Sequence, residues 1–263
     1  MISSASNAQI KNIIQLQTKA KARNRQNCFV VEGIRIYMEV PEEYLVKTYV
    51  SAEFFAHTDE TLKKRIMSAD YELVENEVFK RICDTITPQG ILAVVKKKEL
   101  LIKDMLEAQS QNGKLFLMLE DIQDPGNLGT IIRTAEGAGV SGIIMSDKTV
   151  DIYNPKVVRS TMGSIFRVPF IYADNLVDMA DTLIDSGIKL YAAHLMGSRN
   201  YFEMDFSEPS AFMIGNEGNG LSSALTEKAD ELVKIPMFGK IESLNAASAA
   251  TILMYEALRQ NFI

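Results

Sequence analysis

The stretch IPMFGKIESLNAASAATILMYEALRQ, residues 235–260, decides how the chain is read. It opens as a short apolar strand edge closed by Pro236 and passes through a loop at Gly239. It then carries no charge from Asn245 to Tyr255. A charge-free run of this length predicts a buried helix. Ser243 or Asn245 is placed to cap it by accepting a backbone N–H. Ala246, Ala247, Ala249 and Ala250 let another backbone approach closely. Ile252, Leu253, Tyr255 and Leu258 widen the apolar surface beyond one stripe, as a helix covered on more than one side requires.

Upstream, AFMIGNEGNGLS (211–222) reads as a strand over 211–214 running into a loop with Gly215, Gly218 and Gly220. Glycines let a backbone approach a ligand closely, so main-chain groups here suit a nucleoside-like ligand. Alone, the loop reads equally as a plain turn. It has neither the Lys-Ser/Thr ending of a phosphate-cradling loop nor dinucleotide-fingerprint spacing. A third piece, LEDIQDPGNLGTIIRTAEGAGV (119–140), joins an apolar strand over 114–119 to a helix through the turn signal Asp124-Pro125-Gly126. Asn127 is the expected N-cap. Leu128, Ile131, Ile132 and Ala135 share the face that packs on the sheet, which leaves Arg133 on the polar face beside Thr130. Helical side chains lean toward their N-terminus, so Arg133 reaches toward the strand-to-helix turn.

These pieces occur together and in order. NLGTIIRTAEGAGV, IGNEGNGLS and IPMFGKIESLNAASAAT resemble the three motifs of the SpoU (TrmH-like) RNA ribose 2′-O-methyltransferases of the SPOUT superfamily. FVVEGIRI (29–36) and TPQGILAVV (87–95) are similar to that family's substrate-binding domain. The resemblance implies an α/β fold whose C-terminal parallel-sheet domain carries a deep trefoil knot, and a homodimer joined through the knotted regions. It implies S-adenosylmethionine held by main-chain groups around Gly215, Gly220, Ile235, Met237 and Leu244, with Leu195 added from the preceding strand. The matching catalytic positions are Asn127, Arg133, Glu217, Ser243 and Asn245. Asn127 and Asn245 are expected to orient the ribose, and Glu217 to hold Arg133 or the substrate. Ala246-Ala247 stands where the family commonly has Val-Ser, which bears on packing.

Composition fits a globular chain. Its 263 residues are 47% hydrophobic and 24% charged, with no run long enough for a membrane span and no signal-peptide core at the start. A cytoplasmic location is expected. Cys28 and Cys83 read as free, packed thiols, and His57 and His194 as structural or surface groups, so no metal site is expected. A net charge of −6 runs against a nucleic-acid partner, but its distribution does not. Lys11, Lys19, Lys21, Arg23 and Arg25 fall within 26 residues that hold no acid, forming a basic arm. Lys19, Lys21, Arg23 and Arg25 are the expected RNA contacts.

Residues 5–24 read as one helix, followed by strands over 28–31, 44–50, 71–74 and 91–95 alternating with helices, a small α/β sandwich. The run KKKEL at 96–100 and AQSQNG at 108–113 bracket a short amphipathic segment. Domains are therefore expected at 1–98 (RNA substrate binding) and 114–263 (methyltransferase), with 99–113 as linker. Beyond it, strands alternate with helices, including a helix over 155–162, which predicts a parallel sheet covered on both faces. Arg133 is assigned the role of engaging the phosphate or 2′-hydroxyl and stabilising the alkoxide, since a guanidinium hardly deprotonates. The two-domain layout favours ribosomal RNA. Transfer RNA and a catalytically silent RNA-binding module are the alternatives. A conventional nucleotide enzyme is disfavoured, because DPGNLG carries no dinucleotide fingerprint.

Overall fold

A computed structural model describes residues 1–108 and 114–261. The chain divides into two units, one of residues 1–98 with 151–166, the other of 99–150 with 167–263. Residues 109–113 of the polar AQSQNG run lie outside the described residues.

In the first unit, strands β1 (Cys28–Glu32), β2 (Leu45–Ser51), β3 (Tyr71–Val74) and β4 (Ile91–Lys96) form a sheet of order β1-β4-β2-β3. Strand β4 is antiparallel to both neighbours, and β2 and β3 are parallel. Ile10, Ile13 and Leu16 of the helix Ala8–Thr18 share one core with Val30, Phe79, Leu92 and Val94.

The expected single helix over 5–24 is broken. Lys19 is extended (φ −127°, ψ 111°), and a second helix runs Ala20–Gln26. Arg23 supplies the reason. Its Nη1 donates to the carbonyls of Leu16 (2.8 Å) and Gln17 (3.0 Å), satisfying groups that the end of the first helix leaves open. Its Nε and Nη2 both donate to Asp151 Oδ2. Arg23 is only 4% exposed. It is therefore withdrawn from the basic arm, because four of its five N–H donors are spent within the protein and the side chain is buried away from phosphate. Lys19, Lys21 and Arg25 stay exposed.

Asp151 belongs to a segment expected in the second domain. Residues 151–166 instead complete the first unit: Tyr153 packs on Phe29 with ring centroids 4.7 Å apart, and Arg159 pairs with Asp84. Burial raises the pKa of both thiols, Cys28 and Cys83, which leaves them poor nucleophiles.

The second unit holds β5 (Leu115–Leu119), β6 (Gly142–Ser146), β7 (Phe170–Ala173), β8 (Lys189–Ala193), β9 (Arg199–Asn200), β10 (Ser210–Ile214) and β11 (Glu231–Lys234). They form one sheet of order β7-β6-β5-β10-β8-β11-β9, parallel throughout. Every residue of β5, β6 and β10 is buried, as coverage of both faces demands. On one face Phe116, Met118, Ile144 and Met213 meet Leu176, Ala180 and Leu183 of the helix Leu176–Asp185. Met105 joins the same core, so residues 99–108, expected as linker, are part of this unit. The terminal helix Ala246–Asn261 lies against β10 and the helix Pro125–Gly137.

Strand β11 is inserted between β8 and β9, which are neighbours in sequence. The loop joining β8 to β9 passes very close to it. A Cβ on Gly197 would lie 2.9 Å from Leu232 O and from Lys234 N, so only glycine fits at this crossing.

Candidate active site

Three loops meet at the C-terminal ends of β5 and β10, where open parallel sheets present ligand sites. The first follows β5. Asp124, with Pro125 as the first helical residue, caps the helix by accepting the Asn127 N–H at 2.9 Å. Asp124 therefore takes the cap position expected for Asn127, since a proline at the first position needs no N–H partner. Asn127 is thereby free to act through its side chain.

The second loop follows β10. Asn216 Oδ1 accepts the amides of Gly218 (2.9 Å) and Asn219 (3.0 Å), and its Nδ2 donates to Asp121 O at 2.8 Å. Gly215 sits where the loop folds back on itself. A Cβ there would fall 2.2 Å from Gly220 C and 2.3 Å from Leu221 N, both main-chain atoms that cannot step aside. The third loop leads into the terminal helix. Of the two expected caps, Asn245 is the one that acts: its Oδ1 accepts the Ala247 N–H (2.9 Å) and the Ser248 N–H (3.3 Å).

One chain of hydrogen bonds ties all three. Asn245 Nδ2 donates to Asn127 Oδ1 at 2.8 Å, and Asn127 Nδ2 donates to Glu217 Oε1 at 2.8 Å. Glu217 also accepts the backbone amides of Gln123 (3.2 Å) and Asp124 (3.3 Å), two contributors that residue types alone do not reveal. Burial alone would push the Glu217 carboxyl up. The bonds donated by Asn127 and the two amides outweigh it and hold the group below the usual carboxylate range.

Arg133 is not part of this chain. It is exposed, on the stripe of the helix that also carries Gly126 and Thr130, and among the described residues it makes no hydrogen bond or ion pair. Glu217, expected to hold Arg133 or the substrate, makes no bond to Arg133 here, and its carboxylate accepts from Asn127 instead.

Beside the chain lies a cavity of about 410 Å³. Leu195, Gly215, Gly220, Ile235, Met237 and Leu244, expected around the cofactor, all line it, as do Glu217 and Ser243. His194, expected as a structural or surface group, lines it too, and its Nδ1 accepts the Met196 N–H at 3.1 Å. The lining combines apolar side chains with glycine-loop main chain, and the volume is that of an ordinary small-molecule site. A nucleoside fits such walls, and the close fold-back at Gly215 keeps its floor free of side chains.

A model of the SpoU rRNA methylase family matches residues 114–255. The chain belongs to that family. Residues 7–93 match a model of the MRM3-like substrate binding domain. Among SpoU relatives, the 23S rRNA (guanosine(2553)-2′-O)-methyltransferase RlmP of Bacillus subtilis is 36% identical over 256 residues, covering 97% of each chain. The 23S rRNA (uridine(2479)-2′-O)-methyltransferase of Streptomyces viridochromogenes is 30% identical, covering 97% of this chain and 90% of its own. Among solved structures, an AdoMet-bound rRNA methyltransferase of Sinorhizobium meliloti superposes with a TM-score of 0.83 at 29% identity, covering 98% of this chain and 97% of its own.

Proposed function

We propose that this SpoU family member transfers a methyl group from S-adenosylmethionine to a ribose 2′-hydroxyl of ribosomal RNA. The observation that carries the reading is the Glu217–Asn127–Asn245 chain beside a cavity lined by all six expected cofactor residues. Bound there, S-adenosylmethionine would supply an electrophilic methyl. The protein supplies position and charge. Glu217 fixes the Asn127 amide, Asn127 fixes Asn245, and the linked amides hold the ribose at the edge of the cavity. The unpaired guanidinium of Arg133 takes the phosphate or the oxygen that gains negative charge, in a role that needs no deprotonation of arginine.

The first unit is the RNA-binding part of this scheme, with Lys19, Lys21 and Arg25 contacting phosphate, and the second carries out transfer. The chain also forms a homodimer through the terminal helix. Support comes from the open face of that helix, where Tyr255 is 47% exposed within a charge-free run. The insertion of β11 beneath the Gly197 crossing supports a knotted connection. No described helix is long and apolar enough to cross a membrane, and we place the protein in the cytoplasm with its RNA.

Mapping 2′-O-methyl sites in total RNA from cells with and without the gene tests the reading. Loss of one ribosomal site is expected. Calorimetry separates the alternative of a silent RNA-binding module, which binds RNA and has no affinity for S-adenosylmethionine.

A further inference from the structure

A second cavity, of about 640 Å³, lies beside the first. Asn216, Asn219, Gly220 and Leu221 line both, so the glycine loop is a shared wall. The second cavity opens where the strands end: Glu120 and Asp121 follow β5, and Lys148 lies just beyond β6.

Its lining is held firmly and keeps unused bonding capacity. Asp121 has a left-handed backbone (φ 56°), secured by its N–H to Ser146 Oγ at 2.8 Å and by Ser146 Oγ to its Oδ1 at 2.7 Å. Such a conformation persists in a non-glycine residue only where its surroundings impose it. Glu120 is half-buried; its Oε2 accepts the Ser222 N–H at 2.7 Å, and its Oε1 has no partner among the described residues. Gln123 spends its amide N–H groups on the carbonyls of Asp121 (3.2 Å) and Lys148 (2.7 Å), which leaves Oε1 as an acceptor. The Lys148 ammonium and the Asn219 side-chain amide make no hydrogen bond or ion pair among the described residues.

A carboxylate with spare lone pairs and a free ammonium in one cavity select among the nucleobases. Guanine alone presents two adjacent donors, N1–H and N2–H, with an acceptor, O6, next to them. Uracil offers one donor between two acceptors, and adenine and cytosine each set an amino group beside a ring acceptor. We propose that this cavity receives the base of the target nucleotide and that the base is guanine, its N1–H and N2–H on Glu120 and its O6 on Lys148. The proposal rests on the methyltransferase reading: with the methyl donor on one side of the glycine loop and the base on the other, the ribose is left at the shared edge.

Two experiments test it. In the methylation map, the site lost with the gene should be a guanosine. A lost site at adenosine, cytidine or uridine overturns the guanine assignment and leaves the methyltransferase reading standing, whereas no lost site overturns both. In the purified full chain, Glu120→Gln and, separately, the surface change Lys148→Met should lower kcat/KM on the guanosine RNA about 10- to 100-fold. Affinity for S-adenosylmethionine should stay within about twofold, as the cofactor cavity contains neither side chain. RNA with inosine at the target, which lacks the N2 amino group, should cost the wild type a similar factor and add little to Glu120→Gln. Unchanged turnover in both variants, or a loss of cofactor affinity that matches the loss of turnover, refutes the base site.

Discussion

Replacing Glu217 by glutamine removes one charge and one acceptor where the three loops join. The carboxylate takes Asn127 Nδ2 (2.8 Å) and the Asp124 N–H (3.3 Å) on Oε1, and the Gln123 N–H (3.2 Å) on Oε2. A glutamine that keeps its oxygen in the first position turns its own NH2 toward the Gln123 N–H, donor against donor. Hydrogen bonds to a charged group contribute about 1.5–3 kcal/mol and neutral ones about 1 kcal/mol. Glu217 is exposed, so water recovers much of the difference. The expected loss is about 1 kcal/mol, or about 2–4 °C in Tm for a unit of this size.

The sign of its pH dependence follows from the lowered pKa. A carboxylate held below its ordinary value of 4.5 stabilises the fold fully above that value, and the contribution disappears as the pH falls through the lower folded value. Calorimetric scans of wild type and Glu217→Gln at pH 7.5 and pH 3.5 should therefore show a gap that narrows in acid. Methyl transfer at neutral pH should fall about 100-fold, the usual cost of disarming one preorganised group. A gap of equal size at both pH values, or wild-type turnover in the variant, refutes the view that Glu217 anchors the site through its charge.

Gly215→Ala should abolish S-adenosylmethionine binding in calorimetry, because its Cβ would sit 2.2 Å from main-chain carbon. Arg133→Lys keeps the charge and loses the planar fork; turnover should drop at least tenfold with RNA affinity kept, and full turnover would remove the bidentate role. Changing Lys19, Lys21 and Arg25 together to glutamine should flatten the salt dependence of RNA binding by about 2 in log–log slope. Arg23→Met takes the guanidinium from Asp151 Oδ2 and from two carbonyls, so the first unit should lose about 3–5 kcal/mol in denaturant unfolding. Tyr255→Arg should convert the proposed dimer to monomer in light scattering.

Much of the second unit was legible in the chain itself. Apolar runs such as LFLML and SAFMI admit little besides buried parallel strands, and the face of Leu128, Ile131, Ile132 and Ala135 is buried as its spacing requires. Arg23 was not legible. Among four neighbouring cations it looks like the others, and only the return of residues 151–166 to the first unit, far along the chain, supplies the half-buried acid that claims it. The cap was misplaced for a local reason: Asp124 and Asn127 both favour that position, and the proline between them decides in favour of aspartate.

By itself the sequence pointed, through its resemblance to the SpoU motifs, to Asn127, Glu217 and Asn245, residues that the fold brings together where three loops adjoin. It also placed β5 and β10, the strands that carry the first two loops, because an apolar run bounded by turn signals is a local property. Only the tertiary structure decided who bonds to whom. Asn127 and Asn245 stand 118 positions apart, and their pairing depends on β10 lying beside β5 and the terminal helix lying on both β10 and the Pro125–Gly137 helix. Whether Glu217 meets an arginine or an asparagine is settled there, by distances that local preference does not encode.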